Sequence, residues 1–182
     1  MATYLKDRYH AIVPELLLEL GKENSFAVPR IVKVSVNASV GKLVVSQGEK
    51  SLEPIVKDLA RICGQQPVLR KAKKAEAAFK VRQGMPLGVG MTLRGARAED
   101  FIARLVLIAL PRMRDFRGIP LKAIDEHGNL TIGIKEHTAF PEIAESSLGA
   151  PFGFEVTVVT TAKGPEDAEL FFRKLGFPLQ ST

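Results

Sequence analysis

Several features are scarce in this 182-residue sequence, and each absence narrows what the chain can be. It has a single cysteine, Cys63, so no internal disulfide can form, which is typical of a reducing compartment. No apolar run approaches the roughly 20 residues that a membrane-spanning helix needs. The polar start MATYLKDRYH lacks the charged-then-apolar order of a signal peptide. We therefore expect a soluble intracellular protein.

Repeats and low-complexity tracts are also missing, while 46% of the residues are hydrophobic and 25% are charged. A chain of this length and composition can bury a core, so disorder is not expected. We predict one domain over residues 1–182.

Patterns of catalytic or cofactor sites are equally scarce. The three histidines are His10, His127 and His137, and they lie far apart without a partner at ligand spacing, as is typical of surface residues. The segment VGKLVVS (40–46) fails the phosphate-loop pattern, and Gly88 with Gly90 matches only the first third of a dinucleotide fingerprint. We therefore expect the protein to have no catalytic residue, no cofactor and no bound metal.

One acidic turn keeps an enzyme hypothesis open. Asp125, Glu126 and His127 could hold a metal ion in a nucleic-acid-processing enzyme. The same residues fall in a predicted tight turn, where Asp and Gly are used for backbone geometry far more often than for chemistry. Cys63 lies on an apolar helix face and is predicted to be a small core residue.

Positive charge is what the sequence has in excess, and it is concentrated. The chain carries 26 basic and 20 acidic residues, a net charge of +6. Residues 70–82 alone hold six basic residues against Glu76, so this stretch carries +5. Residues 70–117 together carry +8 and the remainder −2. Such a one-sided distribution is typical of a protein that binds a polyanion, either nucleic acid or an anionic membrane.

The basic stretch itself favours nucleic acid. Phe79 and Val81 are its only sizeable apolar residues, so it cannot bury a face and is predicted to be a long exposed loop over residues 70–87. A membrane-binding helix would need large apolar groups opposite the lysines, and the alanines of this stretch are too small. Like charges repel one another unless phosphates replace their counterions. A plain solvated loop is the alternative.

Residue periodicity predicts a mixed fold. Helical spacing covers residues 3–20, 51–63, 99–110 and 165–175, with Ser51 as an N-cap and Gly21, Gly64 and Gly176 as stops. Pro14 should kink the first helix or start a second one. Alternation predicts strands at 29–37, 66–71, 88–95, 129–136 and 154–162, with a hairpin at 125–129. Because strands and helices do not alternate strictly, we predict an α+β fold: a largely antiparallel sheet with helices packed on one face and a long basic loop.

A polar sheet face follows from that fold. If the helices cover the valine side of the strands, the opposite side presents Lys33, Asn37, Thr92, Arg94 and Thr157. Such a face can meet sugar and phosphate, although an ordinary solvated face is the commoner use.

The chain resembles the bacterial large-ribosomal-subunit protein five family, whose members bind 5S ribosomal RNA. The resembling blocks are KAKKAEAAFKVRQGMPLG (71–88), TLRG (92–95), LPRMRDFRG (110–118), GNLTIGIKE (128–136), FPEI (140–143) and VTTA (159–162). The likeness runs from VPRIVKVSVN near residue 28 to LGFP at 175–178, in the same order. The sequence departs from the family pattern at Ser39, Gln66, Ala75, Glu76 and Gly90, mostly by losing positive charge or backbone freedom.

The resemblance implies a structural protein of the ribosome, cytoplasmic or organellar, with no catalytic residue and no cofactor. Its curved sheet would hold 5S rRNA and help join it to large-subunit rRNA in the central protuberance. Its basic loop would reach the peptidyl-site tRNA, and another edge would contact a small-subunit head protein. A generic RNA chaperone is a further alternative.

The resemblance and the charge pattern together give a set of RNA-binding residues on the sheet, in the loop and after the third long helix. They are Lys33, Asn37, Gln65, Thr92 and Arg94; Arg70, Lys71, Lys73, Lys74, Lys80 and Arg82; and Arg112, Arg114 and Arg117. Phe79 is predicted to anchor the loop by packing beneath it, since packing is the commoner use of such a residue.

Overall fold

Alternating valines and polar residues form the strands of a single sheet, because successive side chains of a strand point to opposite faces. The computed structural model describes residues 2–143 and 151–180, with side chains from residue 4. Its strands are β1 (Ile31–Ser39), β2 (Val68–Lys71), β3 (Pro86–Leu93), β4 (Leu130–Ile134) and β5 (Phe154–Thr160). They are ordered β2-β3-β1-β5-β4, and every neighbouring pair is antiparallel. The predicted antiparallel α+β fold is confirmed.

Within the described residues, four helices follow the predicted periodicity with shifted boundaries, and one short helix, the second in the chain, was not predicted. The helices are α1 (Ala2–Glu19), α2 (Gly41–Gln47), α3 (Leu52–Cys63), α4 (Ala96–Arg104) and α5 (Pro165–Leu175). Helix α4 continues through a π-helical turn at Leu105–Ala109 and a last α-helical turn at Leu110–Arg112. Within the described ranges, no helix is long and apolar enough to cross a membrane.

Two prolines are tolerated where the sequence predicted breaks. Pro14 lies inside α1, which is one helix, so the prediction of a second helix starting there is wrong. Pro111 was expected to end α4, yet the helix runs on to Arg112. The π-helical turn ends two residues before this proline, and the amide of Leu110 donates to the Leu105 carbonyl. The wider turn accommodates a residue that has no amide donor and would crowd an α-helical carbonyl.

Helix ends depend on glycine more than on side-chain caps. Gly64 and Gly176 close α3 and α5 in the left-handed conformation, with φ of 65° and 97°, as predicted. Ser51 occupies the predicted N-cap position of α3, but its side chain does not cap the helix. Its backbone is already helical, and its hydroxyl donates to the Gly48 carbonyl at 2.6 Å rather than accepting from α3. A 3₁₀ turn at Glu49–Ser51 precedes the helix and takes the place of the cap.

One face of the sheet is buried against the helices. Val34 and Val36 of β1 are fully buried, as are Leu93 of β3 and Val158 of β5. Aromatic residues fill the layer above them, including Phe101 of α4 and Phe140 after β4, whose rings stack with centroids 6.0 Å apart. Cys63 is buried as predicted, and burial raises the pKa of its thiol to about 12. The apolar face therefore holds the core of the protein and leaves the opposite face of the sheet open.

Candidate nucleic-acid interface

The open face of the sheet carries polar residues in rows that cross the strands. Thr131, Thr157, Ser35 and Thr92 are successive partners across β4, β5, β1 and β3, so four hydroxyl groups lie in one row. The hydroxyls of Thr131 and Thr157 lie 3.2 Å apart. Hydroxyl groups both donate and accept hydrogen bonds, so the row can meet sugar and phosphate oxygens.

The predicted sheet-face residues lie on or beside this face. Lys33 and Asn37 of β1 and Thr92 of β3 are half-buried there, and Arg94 is exposed just after β3. Gln65 lies between α3 and β2 and is half-buried. Its side-chain amide donates to the Thr92 carbonyl at 3.3 Å, and its oxygen accepts from Arg97 at 3.4 Å. This contact brings Arg97, which sequence reasoning did not select, to the same end of the face.

The basic segment, residues 72–85, connects β2 to β3 at one edge of the sheet. The predicted loop of residues 70–87 was too long, because residues 70, 71, 86 and 87 belong to strands. The segment is folded rather than extended. Ala72 and Met85 are joined at its base by a backbone hydrogen bond of 2.8 Å, and Glu76 pairs with Val81 through bonds of 2.9 and 3.0 Å around a 3₁₀ turn at Ala77–Phe79.

This folding places the cations of the segment on its surface. The exposed basic residues are Lys73, Lys74, Lys80 and Arg82, together with Arg70 and Lys71 of β2. Lys80 adopts a left-handed backbone, with φ of 53°, at the end of the 3₁₀ turn. The prediction that Phe79 anchors the segment is wrong, because 73% of its side chain is exposed. An exposed aromatic ring beside lysines is suited to stacking on a base.

A second basic cluster lies at the opposite edge of the sheet. Arg112 ends α4, and Arg114 and Arg117 follow it; all three side chains are exposed. Residues 112–118 run beside β4 and form with it a shallow depression that also includes Lys135. Sequence reasoning missed Lys135, because only the fold brings it to this cluster. The open face is thus flanked by positive charge on both sides.

These cations lack acidic partners. Within residues 4–143 and 151–180, no ion pair joins a carboxylate to any of the predicted RNA-binding lysines or arginines. Arg104 shows the contrast, since its guanidinium donates to the Ile62 carbonyl at 2.7 Å and pairs with Asp100 and Glu142. Arg104 is therefore structural, whereas the unpaired cations are available to an anionic ligand.

The acidic turn is used for backbone geometry. The Asp125 carboxylate accepts from the amides of His127 and Asn129 at 2.9 and 2.8 Å, and from the Asn129 side chain at 2.8 Å. Burial opposes ionisation, but these hydrogen bonds outweigh it and hold the pKa of the Asp125 carboxyl below its usual range. Gly128 has a positive φ, 75°, which suits its place in the tight turn. No cluster of metal-ligating side chains occurs among the described residues.

The histidine at the end of β4 departs from its predicted surface position. His137 is fully buried, and its Nε2 lies 3.5 Å from the Asp58 carboxylate of α3. Its Nδ1 accepts from the Phe152 amide at 3.3 Å, and its ring stacks on Phe152 with centroids 4.1 Å apart. Burial lowers the pKa of His137, although Asp58 opposes this effect. His137 therefore lies in the core, where its contact with Asp58 links α3 to the segment that follows β4.

Comparison with known proteins gives a consistent result over nearly the whole chain. Residues 24–82 match the family model for ribosomal protein L5, and residues 86–179 match the model for the C-terminus of the ribosomal L5P family. Large ribosomal subunit protein uL5 of a Synechococcus species is 47% identical, covering 97% of this chain and 98% of the relative. The uL5 proteins of Acidobacterium capsulatum and Dehalococcoides mccartyi are each 45% identical, over 100% and 96% of this chain and equal shares of their own.

Proposed function

The chain belongs to the bacterial uL5 family of structural, large-subunit ribosomal proteins, and we propose that it binds 5S rRNA through the open face of its sheet. Bound there, 5S rRNA would be attached by this protein to the large-subunit rRNA of the central protuberance. One observation carries the proposal: the hydroxyl row and the neighbouring Asn37 amide lie on the open face, which is flanked at both edges by cations that have no acidic partner within the described residues.

The chemistry of this surface suits structured RNA. RNA presents phosphates together with ribose hydroxyl groups, which both donate and accept hydrogen bonds. The cations at the two edges can neutralise phosphates, while the central hydroxyl row can pair with sugars. A surface of cations alone would attract any polyanion, so the polar row is what favours a folded RNA.

The basic segment supports a second contact. Lys73, Lys74 and Lys80 lie beyond the joined ends of β2 and β3, away from the hydroxyl row, and their side chains are exposed. We infer that this segment contacts peptidyl-site tRNA, while Arg70 and Lys71, within β2, lie on the 5S rRNA side. Another edge of the protein would contact a small-subunit head protein, as the family resemblance implies.

The salt dependence of 5S rRNA binding tests the electrostatic part of the proposal. If about four to six phosphates are neutralised, a plot of log affinity against log salt should have a slope on the order of −3 to −5. Filter binding over a range of potassium chloride concentrations measures this slope. A slope near zero would contradict the proposal.

Competition separates a specific 5S rRNA protein from a generic RNA chaperone. At physiological salt, unlabelled 5S rRNA should displace labelled 5S rRNA at far lower concentration than an unrelated duplex of equal length. Equal displacement by the two RNAs would favour the chaperone. RNA cleavage that depends on divalent metal and disappears in Asp125→Ala would instead indicate an enzyme, and the hydrogen bonding of Asp125 argues against that outcome.

A further inference from the structure

Arg70 reaches inward from the edge strand to lie over the neighbouring strand. Its Cα is paired with Gly88 of β3, but its guanidinium group extends along the sheet to Gly90. A Cβ atom built on Gly90 would lie 2.6 Å from Arg70 Nε, 3.2 Å from Nη2 and 3.3 Å from Cζ. Real Cβ atoms do not approach other atoms so closely, so the guanidinium occupies the space that any other residue at 90 would need.

Asn37 lies beside this arginine on the same face. Asn37 of β1 is the partner of Gly90 across the strands. A Cβ on Gly88 would lie 3.6 Å from Arg70 Cβ and 3.8 Å from Asn37 Oδ1. The two glycines, Gly88 and Gly90, therefore form a floor without side chains, over which Arg70 lies from one side and Asn37 from the other.

The side chains of Arg70 and Asn37 form no hydrogen bond or ion pair within the part of the chain that the structure describes. The hydrogen bonds and ion pairs of residues 4–143 and 151–180 include none from the Arg70 guanidinium or the Asn37 amide. Glu155 is the acidic residue of this row, and it lies on the far side of Asn37 without an ion pair to Arg70. A guanidinium with free donors thus stands next to an amide that can both donate and accept.

We propose that Gly90 is a positioning residue, which lets Arg70 hold its guanidinium beside Asn37 so that the two side chains bind one ribose-phosphate unit of RNA. The guanidinium takes the phosphate oxygens, since its fork of N–H donors matches phosphate geometry. The amide takes the adjoining 2′-hydroxyl, the group that distinguishes RNA from DNA. This inference builds on the proposed 5S rRNA binding and adds the chemical group that is recognised and the glycine that makes room.

Substituting Gly90 by alanine tests the positioning role. The backbone of Gly90 is not in the left-handed region, and the atoms that a methyl group would meet belong to the far end of a flexible side chain. The methyl group should therefore displace the Arg70 guanidinium while leaving the sheet intact. We expect Gly90→Ala to weaken 5S rRNA binding about fivefold and to make the salt slope shallower by about 0.7 to 0.9, the loss of one phosphate contact.

The matched control is Gly133→Ala on the same open face. Gly133 of β4 has no atom within 4 Å of the position of an added Cβ. Alanine there displaces no cation, so it should leave the salt slope unchanged, and any loss of affinity measures the effect of one added methyl group on the binding face. Circular dichroism and thermal unfolding of both variants check that the fold is kept.

A double-mutant cycle shows whether Gly90 acts through Arg70. Arg70→Ala should weaken binding about tenfold, as expected for loss of a charge-assisted hydrogen bond. Adding Gly90→Ala to Arg70→Ala should have no further effect. Asn37→Ala should reduce the preference for 5S rRNA over a DNA strand of the same sequence, because the 2′-hydroxyl contact is lost.

The outcomes separate this inference from the proposed function. If the unsubstituted protein binds 5S rRNA and Gly90→Ala binds equally well, the positioning role is overturned and 5S rRNA binding stands. If Gly90→Ala weakens binding as much without Arg70 as with it, the glycine acts through the fold, and the inference is again overturned. If the unsubstituted protein does not bind 5S rRNA, the proposed function fails as well.

Discussion

The two faces of the central sheet are built from alternate residues of the same strands, yet they differ in almost every property. Val36 is fully buried under the helices. The next residue, Asn37, lies on the open face, and its side chain forms no hydrogen bond with any other described residue. Thr92 and Leu93 of β3 show the same contrast. A single step along a strand thus separates residues that stabilise the fold from residues for which we propose RNA binding. Position along the chain says little about the effect of a substitution, while the face on which a side chain lies says much.

The largest effect is expected on the buried face. Phe140 is fully buried, with ring centroids 6.0 Å from Phe101 and 5.9 Å from Phe154. Phe140→Ala should lower the free energy of unfolding by about 3–5 kcal/mol, since it leaves a cavity in a packed core. Urea unfolding measures this loss. Below the unfolding transition, the affinity for 5S rRNA should stay close to that of the unsubstituted protein.

Phe79→Ala is the matched control, because the same residue type is 73% exposed there. Its free energy of unfolding should change by no more than about 0.5 kcal/mol. A similar loss of stability in both variants would contradict the assignment of Phe140 to the core and of Phe79 to the surface. Reduced RNA affinity in Phe79→Ala alone would indicate that the ring stacks on a base.

A smaller effect, on tRNA binding, should distinguish the role of the basic segment from that of the sheet face. Replacing Lys73, Lys74 and Lys80 by alanine removes three exposed charges beyond the joined ends of β2 and β3. Large subunits reconstituted with this variant should bind peptidyl-site tRNA more weakly, on the order of tenfold at low salt, because phosphate contacts are lost. The affinity of the free protein for 5S rRNA should fall less. An equal or larger loss for 5S rRNA would assign the segment to that ligand instead.

The smallest expected effect is a change of stability with pH, caused by the buried His137. The pKa of His137 is lowered in the folded protein, chiefly by burial, from its ordinary value of 6.5. Below about pH 6.5 the unfolded chain gains a proton that the folded protein resists, so the free energy of unfolding should fall with acidification. Urea unfolding at pH 7.5 and 5.5 measures the change. His127→Gln, an exposed control, should keep this pH dependence, and greater stability at pH 5.5 would contradict the prediction.

Much of the fold was predictable because the residue patterns that specify its strands and helices are local in sequence. The valine alternation of residues 31–36 and the helical spacing of residues 52–63 each specify a burial direction within a few residues. Glycine stops at Gly64 and Gly176 depend only on the backbone of the helix that they end. The polar face of the sheet followed from the same alternation.

The failures have non-local causes. Helix α2 is only seven residues long and buries Val44 alone, so its periodicity is too weak to read from the sequence. The exposure of Phe79 depends on how residues 72–85 fold back through the Glu76–Val81 pair. The approach of Arg70 to Gly90 requires the pairing of β2 with β3, which no local pattern specifies. The sequence therefore predicted which residues lie on the open face, but not which of these residues contact one another.

Edge strand β2 has a consequence for the protein before it meets any ligand. All four of its residues are exposed, including the apolar Val68 and Leu69, and no strand among the described residues pairs with its outer side. A bare edge of this kind invites pairing with another copy and growth into aggregates. Lys71 opposes such pairing, because two edges that each carry this exposed cation repel each other. A cation proposed for RNA binding thus also disfavours association of the chain with copies of itself.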